Sequence, residues 1–310
     1  MAAALLAPLA VTAALAGCGS QTPASPNASV TVTGPVGKTP TVRIPAAKAS
    51  SGLVTKTLVK GHGPVLAAGD SYLANFNVYD WHGTTHKLLF SSFTSTPEVL
   101  PLQMGLSGLQ QALSGQRVGS RVLAVLPPKY GYGAHGNPQI GVAPTDTMVW
   151  VVDLIQAFSP TAHATGKQLS NGGGKLPTIK VAAAGGSPTI TVPKSAPPGK
   201  LVVSTLIKGT GAPVKSGQTI IVRYVGSIWR TGQVFNNNWP SASSPTAPPN
   251  AFVLGQLIPG WNTGLVGVPV GSRVMLVVPP AEGYGKNGQK SAGIKPTDTL
   301  VFVVDILATA

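Results

Sequence analysis

The chain repeats itself. Pro40-Thr41-Val42-Arg43-Ile44-Pro45 is answered 148 positions later by Pro188-Thr189-Ile190-Thr191-Val192-Pro193, and Thr57–Gly63 by Thr205–Gly211 at the same offset. Farther along, residues 119–133 match residues 271–285 at 10 of 15 positions, and 144–155 match 296–307 at 8 of 12, now offset by 152. The added four residues fall where the second copy carries the longer loop NNNWPSASSPTAPPN. A chain built this way is two copies of one small unit, not one large interwoven domain.

Composition agrees. The 310 residues are 43% apolar, enough for two cores, but only 10% charged, with 38 Gly and 29 Pro. Short strands between Gly/Pro turns fit those values, whereas wholly disordered chains need low hydrophobicity and high charge. No 18-residue apolar run follows the first twenty positions, which excludes a multi-span helical membrane protein. The formal net charge of +14 comes from 22 Lys and Arg against 8 Asp and Glu. The positives are scattered, without basic runs or interleaved aromatics, so no nucleic-acid partner is expected. Scarce, dispersed carboxylates argue against paired-acid hydrolysis and oxygen-ligand metal sites. Neither a metal nor a cofactor is expected.

Residues 1–17 are small and apolar and end at Leu15-Ala16-Gly17-Cys18. An apolar stretch before small residues reads as a secretory signal peptide. Leu-Ala-Gly-Cys resembles the bacterial lipobox, which would lipidate Cys18 and hold the protein on the outer face of a bacterial cell membrane. No Lys or Arg precedes the apolar stretch, so the true translation start is expected upstream of Met1. With the single cysteine lipidated, no thiol remains for a disulfide, a metal or a nucleophile.

The expected organisation is a signal peptide at 1–17, a flexible tether at 18–39, a first domain at 40–158, a Gly/Pro/Ser-rich linker at 159–187, and a second domain at 188–310. Leu201–Ile207, Thr219–Gly226, Arg273–Val278 and Leu300–Leu307 are short, Val/Ile-rich and bounded by turn residues, as strands are. One short helix per copy is predicted. Ser107 is the expected N-cap of Gly108–Ser114, with Leu109 and Leu113 inward. In the second copy Pro259 takes the first helical position, with Trp261 and Leu265 inward. The fold class is α+β, an antiparallel sheet wrapped around one short helix, twice over.

This order of elements, with five strings of the second copy, resembles the FKBP family of peptidyl-prolyl cis-trans isomerases. The strings are Val222-Arg223-Tyr224-Val225-Gly226, Gly232–Asn236, Leu257-Ile258-Pro259-Gly260-Trp261, Pro279–Gly285 and Pro296–Phe302. The resemblance implies an apolar pocket floored by Trp261, walled by Tyr224, Phe235 and Phe302, and rimmed by Leu257, Ile258 and Ile294. It also implies that the Ile258 N–H and the Tyr284 hydroxyl bond ligand carbonyls. Asn236 stands where the family carries Asp, so a functional but slower enzyme is expected.

The first copy departs further. Phe76 stands at the Tyr224 position, Ser91 at that of Asn236, Leu109 at that of Trp261 and Trp150 at that of Phe302, while Phe90 and Tyr132 keep their places. Without an indole floor, this copy is expected to be weak or inactive, a binding or spacing module; a working site of different specificity is the alternative. His82 and His86 read as solvated loop residues. The Trp239-Pro240 loop reads either as a determinant of substrate choice or as inert surface.

The implied function is proline isomerisation in exported proteins during folding, acting on X–Pro segments, with a macrolide as a further ligand class. The competing reading is a non-catalytic proline-peptide chaperone or envelope-associated module using the same groove.

Overall fold

The computed structural model describes residues 25–310 apart from 171 and 182–184. The first copy runs β1 (Thr31–Thr33), β2 (Thr41–Arg43), β3 (Val54–Val59), β4 (Ser71–His82), β5 (Thr85–Ser91), β6 (Glu98–Pro101), α1 (Ser107–Leu113), β7 (Arg121–Leu126) and β8 (Thr147–Phe158). Two short strands follow, β9 (Lys167–Gln168) and β10 (Thr178–Lys180). The second copy runs β11 (Thr189–Thr191), β12 (Val202–Lys208), β13 (Thr219–Ile228), β14 (Val234–Asn237), β15 (Asn250–Val253), α2 (Pro259–Gly264), β16 (Arg273–Val278) and β17 (Leu300–Thr309).

The first sheet has the order β3-β7-β8-β4-β5, with β6 also on β4; the second has β9-β12-β16-β17-β13-β14, with β15 on β13. All their pairings are antiparallel, and the register repeats: Phe76 faces Val152 as Tyr224 faces Val304. This is the α+β architecture expected from the repeat.

The central strands are buried on both faces, which explains why RVLAVL and RVMLVV read as unbroken apolar runs and not as alternation. On one face α1 packs Leu109 and Leu113 against Val122, Ala124 and Leu126. On the other, the hairpin of β1 and β2 lays Val30 and Ile44 over Leu123 and Val125. In the second copy Trp261 and Leu265 cover Val274, Leu276 and Val278, while Ile179 of β10 and Trp239 cover Met275 and Val277.

That second face corrects two expectations. Residues 25–39 are not a free tether, because an uncovered apolar face would be left without them. Asn27 is buried and its side chain bonds the backbone of Ser50 and Gly52. Nor are residues 159–187 only linker: β9 extends the second sheet beside β12, and β10 pairs with β11. Each copy therefore brings a leading hairpin, β1–β2 or β10–β11.

Each unit carries a buried ion pair, and the first unit's pins its lid. Arg121 grips Asp153 through Nε–Oδ1 at 2.6 Å and Nη2–Oδ2 at 2.7 Å, and donates to the carbonyls of Gly34 and Lys38. Arg273 and Asp305 repeat the grip at 2.5 and 2.7 Å, and Asp305 also accepts the Ala164 N–H. The two copies touch through an apolar patch in which Leu73 and Phe158 meet Ile221.

The helices are short and glycine-rich because they lie close to the sheet. A Cβ on Gly260 would fall 2.7 Å from Val278 Cγ1. Pro259 opens α2, as expected, with Ile258 as its cap. Ser107 does not cap α1: it is the first helical residue, capped by Leu106, and its hydroxyl reaches the Tyr130 carbonyl at 3.5 Å.

Candidate active site

A cavity of about 140 Å³ opens over α2, between β13, β14 and the β16–β17 connection. Trp261 is its floor, 4% exposed, and its indole meets three rings edge-on. The centroids lie 5.3 Å from Tyr224, 5.3 Å from Phe302 and 5.9 Å from Phe252, with interplanar angles of 88°, 90° and 88°. Phe235 closes the wall against Phe302 at 5.6 Å. Such edge-to-face contacts hold each ring in one orientation.

Leu257, Ile258, Tyr284 and Asn236 complete the lining. The Ile258 N–H and the Tyr284 hydroxyl bond nothing among the described residues, so both are free to donate to a ligand. Burial pushes the Tyr284 phenol up, and burial together with neighbouring Tyr284 does the same for Tyr224. Both stay protonated donors at neutral pH.

Local geometry aims Phe235. The β13–β14 register passes from Gly226 opposite Asn236 to Ser227 opposite Val234, leaving Phe235 as a bulged residue turned onto the sheet. Asn238 holds this corner, its Oδ1 accepting the Tyr224 N–H at 2.7 Å and its Nδ2 donating to the Val222 carbonyl. Arg223, fully buried and lowered to about 10 by that burial, ties the long loop down through the carbonyls of Asn238 and Ala247.

Tyr224, Phe235, Asn236, Leu257, Ile258, Trp261, Tyr284 and Phe302 are thus gathered in one cavity. Ile294 is not: it is 3% exposed and packs in the core outside the lining. Its carbonyl accepts the Gln289 N–H, which draws the residue into a closed turn. Phe252 is the lining residue that sequence reading missed; it pairs with Ile220 on an edge strand and brings its ring 5.9 Å from that of Tyr224. The Tyr224 hydroxyl makes no hydrogen bond to Asn236 among the described residues. Trp239 is neither inert surface nor cavity wall, being buried with its ring 5.6 Å from the Arg273 guanidinium.

A family model, that of the FKBP-type peptidyl-prolyl cis-trans isomerases, matches residues 73–155 and 211–307. The chain belongs to this family. Over 123 residues it is 36% identical to an FK506-binding protein of Streptomyces anulatus, spanning 39% of this chain and 95% of that protein. A probable FK506-binding protein of Corynebacterium glutamicum is 36% identical over 121 residues, 39% of this chain and 97% of the relative. The isomerase FkpA of Escherichia coli is 36% identical over 107 residues, 34% and 37% of the two chains. The protein is an FKBP-type peptidyl-prolyl cis-trans isomerase with two FKBP units.

The first unit carries a different cavity, of about 400 Å³, lined by Phe76, Leu89, Phe90, Tyr132 and Trp150 with Val78, Glu98, Leu100 and Ile140. Phe76 lies 5.4 Å from Phe90 and 5.3 Å from Trp150. Leu109 is buried in the core and absent from this lining, so the smaller residue leaves the cavity without a floor from the helix. The bulge also shifts the correspondence. Val78 faces Phe90 and Tyr79 faces Leu88, so Leu89 holds the place of Phe235, Phe90 that of Asn236 and Ser91 that of Asn237. His82 is ion-paired to Asp146 at 2.5 Å, its side chain 64% exposed, where Arg230 grips Asp298 in the second unit.

Proposed function

We propose that the second unit carries most of the isomerase activity and that its clients are proline-containing segments of exported proteins still folding outside a bacterial membrane. The observation that supports this most is the set of three rings held edge-on around Trp261, closed by Phe235, with two donors at the rim unengaged among the described residues. No acid, base or metal is needed. Rotation about an X–Pro bond is opposed by amide resonance, a barrier of ~18–20 kcal/mol. The planar amide is more polar than the twisted one, so an aromatic cavity that excludes water favours the twisted form, which is differential binding of the transition state. The Ile258 N–H and the Tyr284 hydroxyl would hold the flanking carbonyls while the amide turns.

Membrane attachment through lipid on Cys18 belongs to the same reading; that residue and the leader lie outside the described residues. A macrolide is a second ligand class for the same cavity. A purely binding role draws support from Asn236 and from the floorless first cavity, so kinetics must decide. Cis-to-trans rates on a short X–Pro peptide should fall at least about tenfold in Trp261→Leu and little in Trp150→Leu. The reverse ranking would move the activity to the first unit; no acceleration by the unmodified chain would leave the binding role. Cys18→Ser should release the protein from the membrane fraction.

A further inference from the structure

We propose that the first unit's cavity is a separate docking site for an extended peptide bearing a large apolar side chain beside a lysine or arginine, selected by charge and size instead of by proline. The inference goes beyond the isomerase reading and does not depend on it.

Size is the first observation. The cavity holds about 400 Å³ against about 140 Å³ in the second unit, because Leu89 replaces the inward ring of Phe235 and no indole rises from the helix. A proline ring would rattle there, whereas a leucine or phenylalanine side chain would gain more contact.

Charge is the second. Glu98 pairs in register with Ala74 as Asn250 pairs with Val222, so the first unit has a carboxylate where the second has an amide. Asn250 is engaged, accepting from Asn238 at 3.1 Å. Glu98 has no hydrogen-bond or ion-pair partner among the described residues, although Asp146, Asp153, Asp298 and Asp305 all do. Partial burial pushes its carboxyl up, the sign of a desolvated charge without a cation. A ligand ammonium or guanidinium would supply one.

Continuity is the third. Phe90 and Glu98 also line a groove of about 590 Å³ that runs between the units past Pro97, Pro248 and Pro249. A peptide whose apolar side chain enters the cavity therefore has a path for its backbone, with Glu98 at the junction.

The test uses the full chain and two labelled proline-free pentapeptides, Ac-Gly-Leu-Lys-Leu-Gly and its Lys→Gln analogue, in fluorescence anisotropy at low ionic strength. The lysine peptide should bind about fivefold tighter or more, as befits one partly screened pair. The preference should persist in Trp261→Leu, which removes the second cavity. It should vanish in Glu98→Gln, and Glu98→Lys should turn it towards a Leu-Glu-Leu peptide. Equal affinity for the Lys and Gln peptides, no effect of Glu98→Lys, or binding lost in Trp261→Leu would each overturn the proposal. No X–Pro catalysis by the unmodified chain, with this preference intact, would count against the isomerase reading alone.

Discussion

Gly226 lies directly beneath the ring of Phe235: a Cβ there would stand 2.7 Å from Phe235 Cζ and 3.0 Å from Phe302 Cε1. The first unit solves the same packing differently, with Val78 under the smaller Leu89. Glycine and bulged phenylalanine thus form one device, and the cavity's shape depends on both. Gly226→Ala should turn Phe235 outward and reduce kcat/KM about tenfold or more, since small misplacements of a binding wall are costly. Overpacking should also lower stability by about 1–3 kcal/mol. Unchanged kinetics together with an unchanged melting temperature would show that the ring moves freely.

Asn236 faces the cavity with an amide that carries no charge and does not bond the Tyr224 hydroxyl among the described residues. Asn236→Asp should raise kcat/KM a few-fold by giving that phenol a charged acceptor, worth about 1 kcal/mol or more. The unmodified enzyme should show turnover independent of pH from about 5 to 9, because its lining titrates only through phenols raised by burial. Equal or slower turnover of the aspartate variant would refute the first expectation, and a bell-shaped profile the second.

Asp305 is fully buried and neutralises Arg273 while accepting the Ala164 N–H. Asp305→Asn keeps the shape but leaves a buried guanidinium without its counter-charge. Urea unfolding should record a loss of about 3–5 kcal/mol. A loss below 1 kcal/mol would mean that water reaches Arg273.

The first unit should be more stable in mild acid than at neutral pH. Asp80 is buried beside Asp146, and burial first, then that neighbour, raises its carboxyl to about 6. A carboxyl raised on folding binds its proton more tightly in the native state, so stability falls as pH climbs from its unfolded value of about 4 to about 6. His82, raised through its hydrogen bond to Asp146, adds stability that is complete below about 6.5 and lost as pH rises through its folded value. Denaturant titrations of Asp80→Asn should show a gain at pH 7.5 that disappears near pH 4. A gain equal at both pH values would exclude this linkage.

Much of the site was legible in the residue order. Tyr224, Trp261 and Tyr284 sit in strings short enough that one backbone element places each of them, and Pro259 opens its helix as its fixed φ demands. Ile294 was misplaced because a rim and a core position look alike for an isoleucine until the turn at Gln289 closes. Phe252 went unseen because edge-strand identity depends on its pairing to β13. Phe90 and Ser91 were assigned one position out because a bulge shifts register without changing composition.

By itself the sequence determined the duplication, the α+β class, the aromatic set of the second unit and the loss of its indole counterpart in the first. Those follow from local spacing and side-chain type, which the chain carries wherever it folds. Tertiary structure alone decided that residues 25–39, and the paired strands Thr178–Lys180 and Thr189–Thr191, act as lids over the second sheet faces, and that Glu98 has no partner among the described residues. Such outcomes depend on which surfaces remain uncovered after the sheets assemble, and that is a property of packing between segments far apart in the chain.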